Sequence, residues 1–228
     1  MSEGFVGYLD ILFFAMVAAF IALRLRSVLG RRTGHERRRT EGYGEIRNNN
    51  VPDNVVPIGD HGLSPQESDQ AIAALDDDNV KEGLTRIREV DQRFDLQQFL
   101  SGSRLAFEMI VESYAAGDKE TLEPLLADQV FRGFARAIDE RVAVEQTLDT
   151  QLITVGDPEV IEAKLEGAAA QVTLRFDSEQ VNVVRDRDGN VVEGDPGTAE
   201  DVVDIWTFER DTQSDDPNWI LIETRTPS

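Results

Sequence analysis

Apolar side chains follow three regimes along this chain. From residue 11 to 23 they are uninterrupted: Ile11, Leu12, Phe13, Phe14, Met16, Val17, Phe20, Ile21 and Leu23, with alanines between them. From residue 64 to about 142 they recur every three or four positions, the period of a helix face. Beyond about residue 148 they alternate with polar residues, the period of a half-buried strand.

In the helical regime, Ser64-Pro65-Gln66-Glu67 reads as a helix start: a serine cap, proline in the first turn and glutamate three residues after the cap. That helix carries Ala71, Ile72 and Leu75 and stops near Asp76-Asp77-Asp78, an acidic run that opposes a helix C-terminus. The run lacks the alternate ligand spacing of a calcium loop and reads as a solvated turn. A second helix is predicted over 79–94, with Val80, Leu84, Ile87 and Val90 on one face. Asp95 opens a longer one carrying Leu96, Phe99, Leu100, Ser103, Phe107, Ile110 and Tyr114. Gly117 ends it, and Asp118 caps a short turn bearing Leu122, Leu125 and Leu126. Asp128 is expected to cap a further helix with Phe131, Phe134, Ala135, Ile138 and Val142 on one side.

Strands are predicted around 152–155, 160–161, 172–184, 202–208 and 219–224, with Asp188-Gly189-Asn190 as a hairpin turn. Helices first and strands afterwards, with no crossover helix between strands, give an α+β fold on an antiparallel sheet. The glycines form neither a dinucleotide fingerprint nor a phosphate loop.

Charge changes how the apolar run is read. The 228 residues carry 23 Lys plus Arg against 44 Asp plus Glu, a net charge of −21. Residues 1–47 hold eight arginines and five carboxylates, a net of +3, so the remainder carries −24. Extended back to Phe5, the apolar segment is 19 residues long, interrupted by Gly7 and Asp10, close to the roughly 20 residues a bilayer span needs. Arg24, Arg26, Arg31 and Arg32 follow it and would hold anionic headgroups and mark the cytoplasmic side. A signal peptide would place its bases before the run, an interfacial helix needs a polar face, and a buried soluble helix leaves the arginines without a purpose. A single-pass anchor is therefore expected over 1–30, with the body on the cytoplasmic side of an inner membrane.

Residues 31–63 read as an Arg-rich and then flexible linker with glycines, prolines and Asn48 to Asn50. A flexible tether of about 25 residues has a typical reach of roughly 25–30 Å. His61 within it reads as a solvated loop histidine. A single α+β domain is expected over 64–228. The acidic balance argues against nucleic acid as a partner. With zero Cys and two His, thiolate metal sites and a cysteine nucleophile are excluded, and neither a cofactor nor a metal is expected.

Several stretches together resemble the Tim44-like domain family. They are Asp95-Leu-Gln-Gln-Phe-Leu-Ser-Gly-Ser-Arg-Leu-Ala-Phe-Glu108, then Ile110-Val111, Ala116-Gly117-Asp118 and Val130-Phe131 with Phe134, Ile138 and Arg141. Val172-Thr173-Leu174-Arg175-Phe176, Val203 to Arg210 and Asp216-Pro217-Asn218-Trp219-Ile220-Leu221 continue the order. The resemblance covers roughly 75–226, and the anchored N-terminus is similar to that of bacterial members, read as adaptors. It implies helices flanking a curved, cone-like antiparallel sheet with a large apolar pocket, and a place at a membrane. The family's translocase scaffold recruits a chaperone through a long N-terminal region, and since no stretch of this sequence resembles that region, chaperone recruitment is not among the expectations.

A membrane-tethered adaptor without chemistry or cofactor is thus the first expectation, with an unidentified protein partner, in protein translocation, membrane-protein biogenesis or quality control. Phe99, Phe107, Phe131, Phe134, Trp206 and Phe208 are the candidate pocket residues, each also a candidate for plain core. The alternative is a small-molecule or lipid binder, or an acid–base enzyme using Asp204 or Glu108 near Arg136 or Arg141. Against it, Glu108 and Asp204 are expected to be ion-pair carboxylates closing the seam between helices and sheet.

Overall fold

The computed structural model describes residues 65–227. The apolar run 11–23, the arginines 24–39, the linker with His61, and Ser64 lie outside the described residues. Among the described residues no helix is long and apolar enough to cross a membrane. The elements are α1 (Pro65–Ala73), α2 (Asp78–Val90), α3 (Leu96–Ala116), α4 (Lys119–Leu122), a 3-10 turn (Glu123–Leu125) and α5 (Asp128–Ala143). Then follow β1 (Thr147–Val155), β2 (Glu159–Glu166), β3 (Ala169–Arg185), β4 (Val191–Glu193), β5 (Glu200–Asp211) and β6 (Ile220–Arg225). This is the expected α+β order.

Short polar side chains set the helix boundaries by satisfying the free amides of the first turn. Asp95 accepts from the Gln98 amide at 2.8 Å and starts α3, and Gly117, at φ 74°, ends it in the left-handed conformation that favours glycine. Asp118 accepts from the Thr121 amide at 3.1 Å and starts α4. Two boundaries differ from the sequence reading. Asp77 does not merely end a helix: it accepts from the Asn79 and Val80 amides at 2.8 and 3.1 Å and caps α2. The cap position of α5 is Ala127, with Asp128 already in the first turn. In addition, α2 stops at Val90, which is 54% exposed, and the residues to 94 form a turn.

The sheet is antiparallel, and β3 is its spine. One edge of β3 pairs with β2 along residues 169–175 and with β1 along 178–185. β1 and β2 are therefore one line of chain, broken opposite residues 176–177, where the Gly156 amide donates to the Asp177 carbonyl at 2.8 Å. The other edge of β3 pairs with β5 from Ala169↔Asp211 to Gln180↔Glu200 without a register shift, and β6 pairs with β5. The Ala127 amide donates to the Leu221 carbonyl at 2.9 Å, which ties the start of α5 to β6.

Strand parity decides which residues face the helices. Ala170, Val172, Leu174 and Phe176 of β3 share a face with Trp206 and Phe208 of β5, and all are buried. α3 lies on this face. Phe107 stacks on Phe176 at 4.5 Å and contacts Trp206 at 4.7 Å. Burial of each such ring contributes roughly 1.5–3 kcal/mol, before any ring-pairing term. α2 packs on β2 through Gly83, where a Cβ would overlap the Ala163 carbonyl, so the helix backbone rests directly on the strand. Past Phe176 the same face of β3 turns polar. Gln180 donates to Ser178 Oγ at 2.8 Å, Asn182 donates to Gln180 Oε1 at 3.2 Å, and Thr150 donates to Asn182 Oδ1 at 2.7 Å. Ser178 and Gln180 are buried, and this file satisfies their polar groups.

A candidate cleft beside the aromatic core

The six aromatic candidates divide among three places. Phe107 and Trp206 are interior, with 0% and 4% of their surface exposed. Phe99 and Phe208 meet edge to face at 6.2 Å and border a cleft. Phe134 packs edge-on against Tyr114 at 5.2 Å, and Phe131 lines a shallow hollow of about 600 Å³ along α5. They do not form one pocket. Arg141 joins α5 to α3: its guanidinium lies 5.1 Å from the Tyr114 ring centroid and donates to the Tyr114 and Ala115 carbonyls at 2.7 and 3.1 Å. Burial pushes the Tyr114 phenol above its usual range, and the Arg141 charge opposes that shift.

The cleft has a volume of about 850 Å³ and lies among the loop before α3, the first half of α3, the end of β5 and the approach to β6. Its aromatic wall is Phe94, Phe99, Phe208 and Trp219. Trp219 sits 4.6 Å from Phe99 and 5.9 Å from Phe94. Arg210 follows Trp206 and Phe208 at alternate positions on β5, so its side chain enters from the core face. It forms an ion pair with Asp91, and the two are 7% and 3% exposed. The Arg210 guanidinium also lies 5.1 Å from the Trp219 ring centroid. Burial lowers the pKa of Arg210, yet guanidinium remains charged. The second oxygen of Asp91 accepts from the Arg93 amide at 3.1 Å, which holds the loop in place.

Sequence reasoning overlooked Phe94, Asp91, Arg210 and Trp219. The parity of Trp206, Phe208 and Arg210 was the signal for the arginine, since an inward-facing cation requires a buried partner.

The two candidate carboxylates behave differently. Glu108 of α3 lies 3.3 Å from Arg104, one turn earlier, a partly exposed ion pair within the helix rather than one across the seam between helices and sheet. Asp204 stands opposite Phe176 across the β3–β5 ladder. Contrary to expectation, no ion pair to it is found among the described residues. Desolvation pushes its carboxyl up to about 6, and a hydrogen bond from the Trp206 indole works against that shift. Asp204 lines neither the cleft nor the α5 hollow. Among the described residues no cluster of three or more His, Cys, Asp or Glu could hold a metal.

Comparison with known proteins adds a family. The model of the Tim44-like domain matches residues 80–226. A Caenorhabditis elegans protein, "Probable mitochondrial import inner membrane translocase subunit tin-44", is 27% identical over 148 residues, covering 63% of this chain and 35% of that protein. The Mus musculus "Mitochondrial import inner membrane translocase subunit TIM44" is 21% identical over 179 residues, covering 77% of this chain and 40% of that protein. The chain thus spans well under half the length of these curated relatives. Among solved structures, the intermembrane space region of chloroplast protein ARC6 aligns with a TM-score of 0.44 at 10% identity, covering 59% of this chain and 97% of that one.

Proposed function

The chain belongs to the Tim44-like domain family, and from that membership we propose that it is a membrane-tethered adaptor that holds a partner protein at an inner membrane during protein transport. The observation that carries this reading is the family match across residues 80–226, with relatives named as subunits of an inner-membrane import translocase. In this reading residues 1–30 span the bilayer once. The arginines from 24 to 32 hold anionic headgroups, and the acidic body stands off the cytoplasmic face on its tether. The helix-flanked sheet serves as the family's cone, presenting an aromatic cleft rather than performing a reaction.

Removing residues 1–30 tests the tether. The truncated protein is expected to move from the membrane fraction to the soluble fraction, and retention in the membrane would mean that the body binds lipid by itself. Crosslinking with mass spectrometry in native membranes, with and without those residues, tests the partner. An adaptor gives a recurring crosslinked protein whose yield falls when the tether is removed.

A second reading, acid–base turnover of a small molecule, is favoured by one observation: the Asp204 carboxyl, without an ion pair among the described residues and raised to about 6. Against it stands the position of Asp204 outside both clefts.

A further inference from the structure

The helices that border the cleft are unequally held. α2 has a side-chain cap at Asp77 and buries Val80, Gly83, Leu84 and Ile87, and α3 has one at Asp95 and buries six residues. α1 is nine residues long, below the roughly 12–15 residues at which an isolated helix becomes marginal. Asp76, Asp77 and Asp78 follow closely on its C-terminus, where negative charge opposes the helix dipole. Its last turn holds no basic residue to offset them.

The seat of α1 on α2 and α3 is small. Ile72, 4% exposed, is the apolar side chain it buries fully, with Ala71 and Leu75 partly buried beside it. Asp69 reaches Arg88 of α2 at 3.3 Å, but the Asp69 side chain is 63% exposed, so water screens the pair. Against these contacts stands Ser68. It is 1% exposed and its Oγ has no hydrogen-bond partner. A buried hydroxyl in that state is costly, and the cost is relieved as soon as water reaches it.

Ser68 also lines the cleft, together with Arg88, Phe94, Asp95 and Phe99. α1 is therefore part of the cleft wall. The other walls are carried by α3 and by β5, whose ladder with β3 runs without a register shift. One wall is thus held by a few contacts and the rest by the core.

We propose that α1 is a strap over one side of this cleft, which lifts as a unit while the rest of the domain stays folded, and so controls access to the aromatic wall. Lifting exchanges one buried aliphatic side chain and a screened ion pair for a hydrated Ser68 and the regained freedom of a short segment. The closed and open states therefore lie close in free energy, as they do for elements that open locally under native conditions. The opening belongs to the domain itself and goes beyond the adaptor reading.

Native-state amide exchange of the full-length chain in detergent tests the strap, with Trp219 fluorescence as a second readout. The amides that close α1, such as that of Ala74, which donates to the Gln70 carbonyl at 3.0 Å, are the reporters. They are expected to exchange about a hundredfold or more faster than those of Leu84 and Phe107, at a rate that low denaturant leaves unchanged. Ser68→Ala removes the unpartnered hydroxyl and is expected to slow exchange in α1 about tenfold. Ile72→Ala is expected to speed it about tenfold, and neither variant changes exchange in α3. Acrylamide quenching of Trp219, taken as the difference between each chain and the same chain carrying Trp219→Phe, is expected to rise in Ile72→Ala and to fall in Ser68→Ala.

Amides of α1 as well protected as those of α2 and α3 would mean that α1 opens only with the whole domain, which overturns the proposal. Faster exchange in α1 with Trp219 quenching unmoved by either variant overturns it equally, because α1 is then a frayed end that closes nothing. So does faster exchange in Ser68→Ala, since the hydroxyl would then be holding α1 down.

Discussion

Asp91 and Asp204 are both carboxylates carried into the body of the domain, and their surroundings differ in one respect. Asp91, 3% exposed, meets the guanidinium of Arg210 and the amide of Arg93. Asp204, largely buried, meets the indole of Trp206, and its carboxyl is raised to about 6. A charge enters an apolar interior at little net cost only when it brings its counter-charge. Without that counter-charge, the neutral acid becomes the better-tolerated form. The first site thus fixes a loop, and the second makes stability depend on pH.

The sharpest way to break this comparison is to give Asp91 the condition of Asp204. Arg210→Met removes the buried counter-charge of Asp91, leaving the half-exposed Arg93 guanidinium 3.5 Å away as its remaining ion pair, and is expected to cost about 3 kcal/mol in urea denaturation. Adding Asp91→Leu should recover most of that loss. If the double variant is no more stable than the single one, the pair does not act as a unit.

Next in size is the pH dependence of Asp204. Its folded pKa lies above the unfolded value, so the native state holds the proton more tightly. Stability contributed by this group is complete below about pH 4 and falls as pH rises through about 6. At about 1.4 kcal/mol per pH unit, a rise from 3.8 to about 6 corresponds to at most about 3 kcal/mol. Asp204→Asn keeps an acceptor for the indole and removes the titration. It is therefore expected to gain on the wild type between pH 4 and pH 7, and equal slopes for the two proteins would remove the premise.

The smallest effect belongs to Glu108. Its pairing with Arg104 is a partly exposed one-turn helix pair, so Glu108→Gln should change stability by no more than about 0.5 kcal/mol and less at high salt.

How far each of these carboxylates could be read from sequence follows from the distance over which its environment is set. Asp95, Gly117 and Asp118 act within three residues, so local spacing was enough, whereas Glu108 was expected to pair across the seam and instead pairs with Arg104 one turn back on its own helix. Asp77 is equally local but ambiguous, because an acid between two helices can end one or begin the next. The face shared by Trp206, Phe208 and Arg210 was also legible as parity. The partner of Arg210 was not, since Asp91 reaches it only when α2, α3 and β5 are assembled. The six aromatic candidates failed to form one pocket for the same reason: periodicity places a ring on a face, whereas the crossing of α3, α5 and the sheet decides which rings meet.

The pairing of Leu221 with Ala127 bears on how the domain comes off the ribosome. Among the described elements every helix is synthesised before any strand, and β6, which receives the start of α5, is synthesised last. The inward faces of α2 and α3 have no sheet to cover until β3 and β5 have emerged. Throughout that interval Leu84, Ile87, Phe99 and Phe107 are open to solvent or to whatever waits at the exit site. A nascent chain of this kind completes its body late and in one step, and it offers helper proteins an apolar helical half for most of its translation.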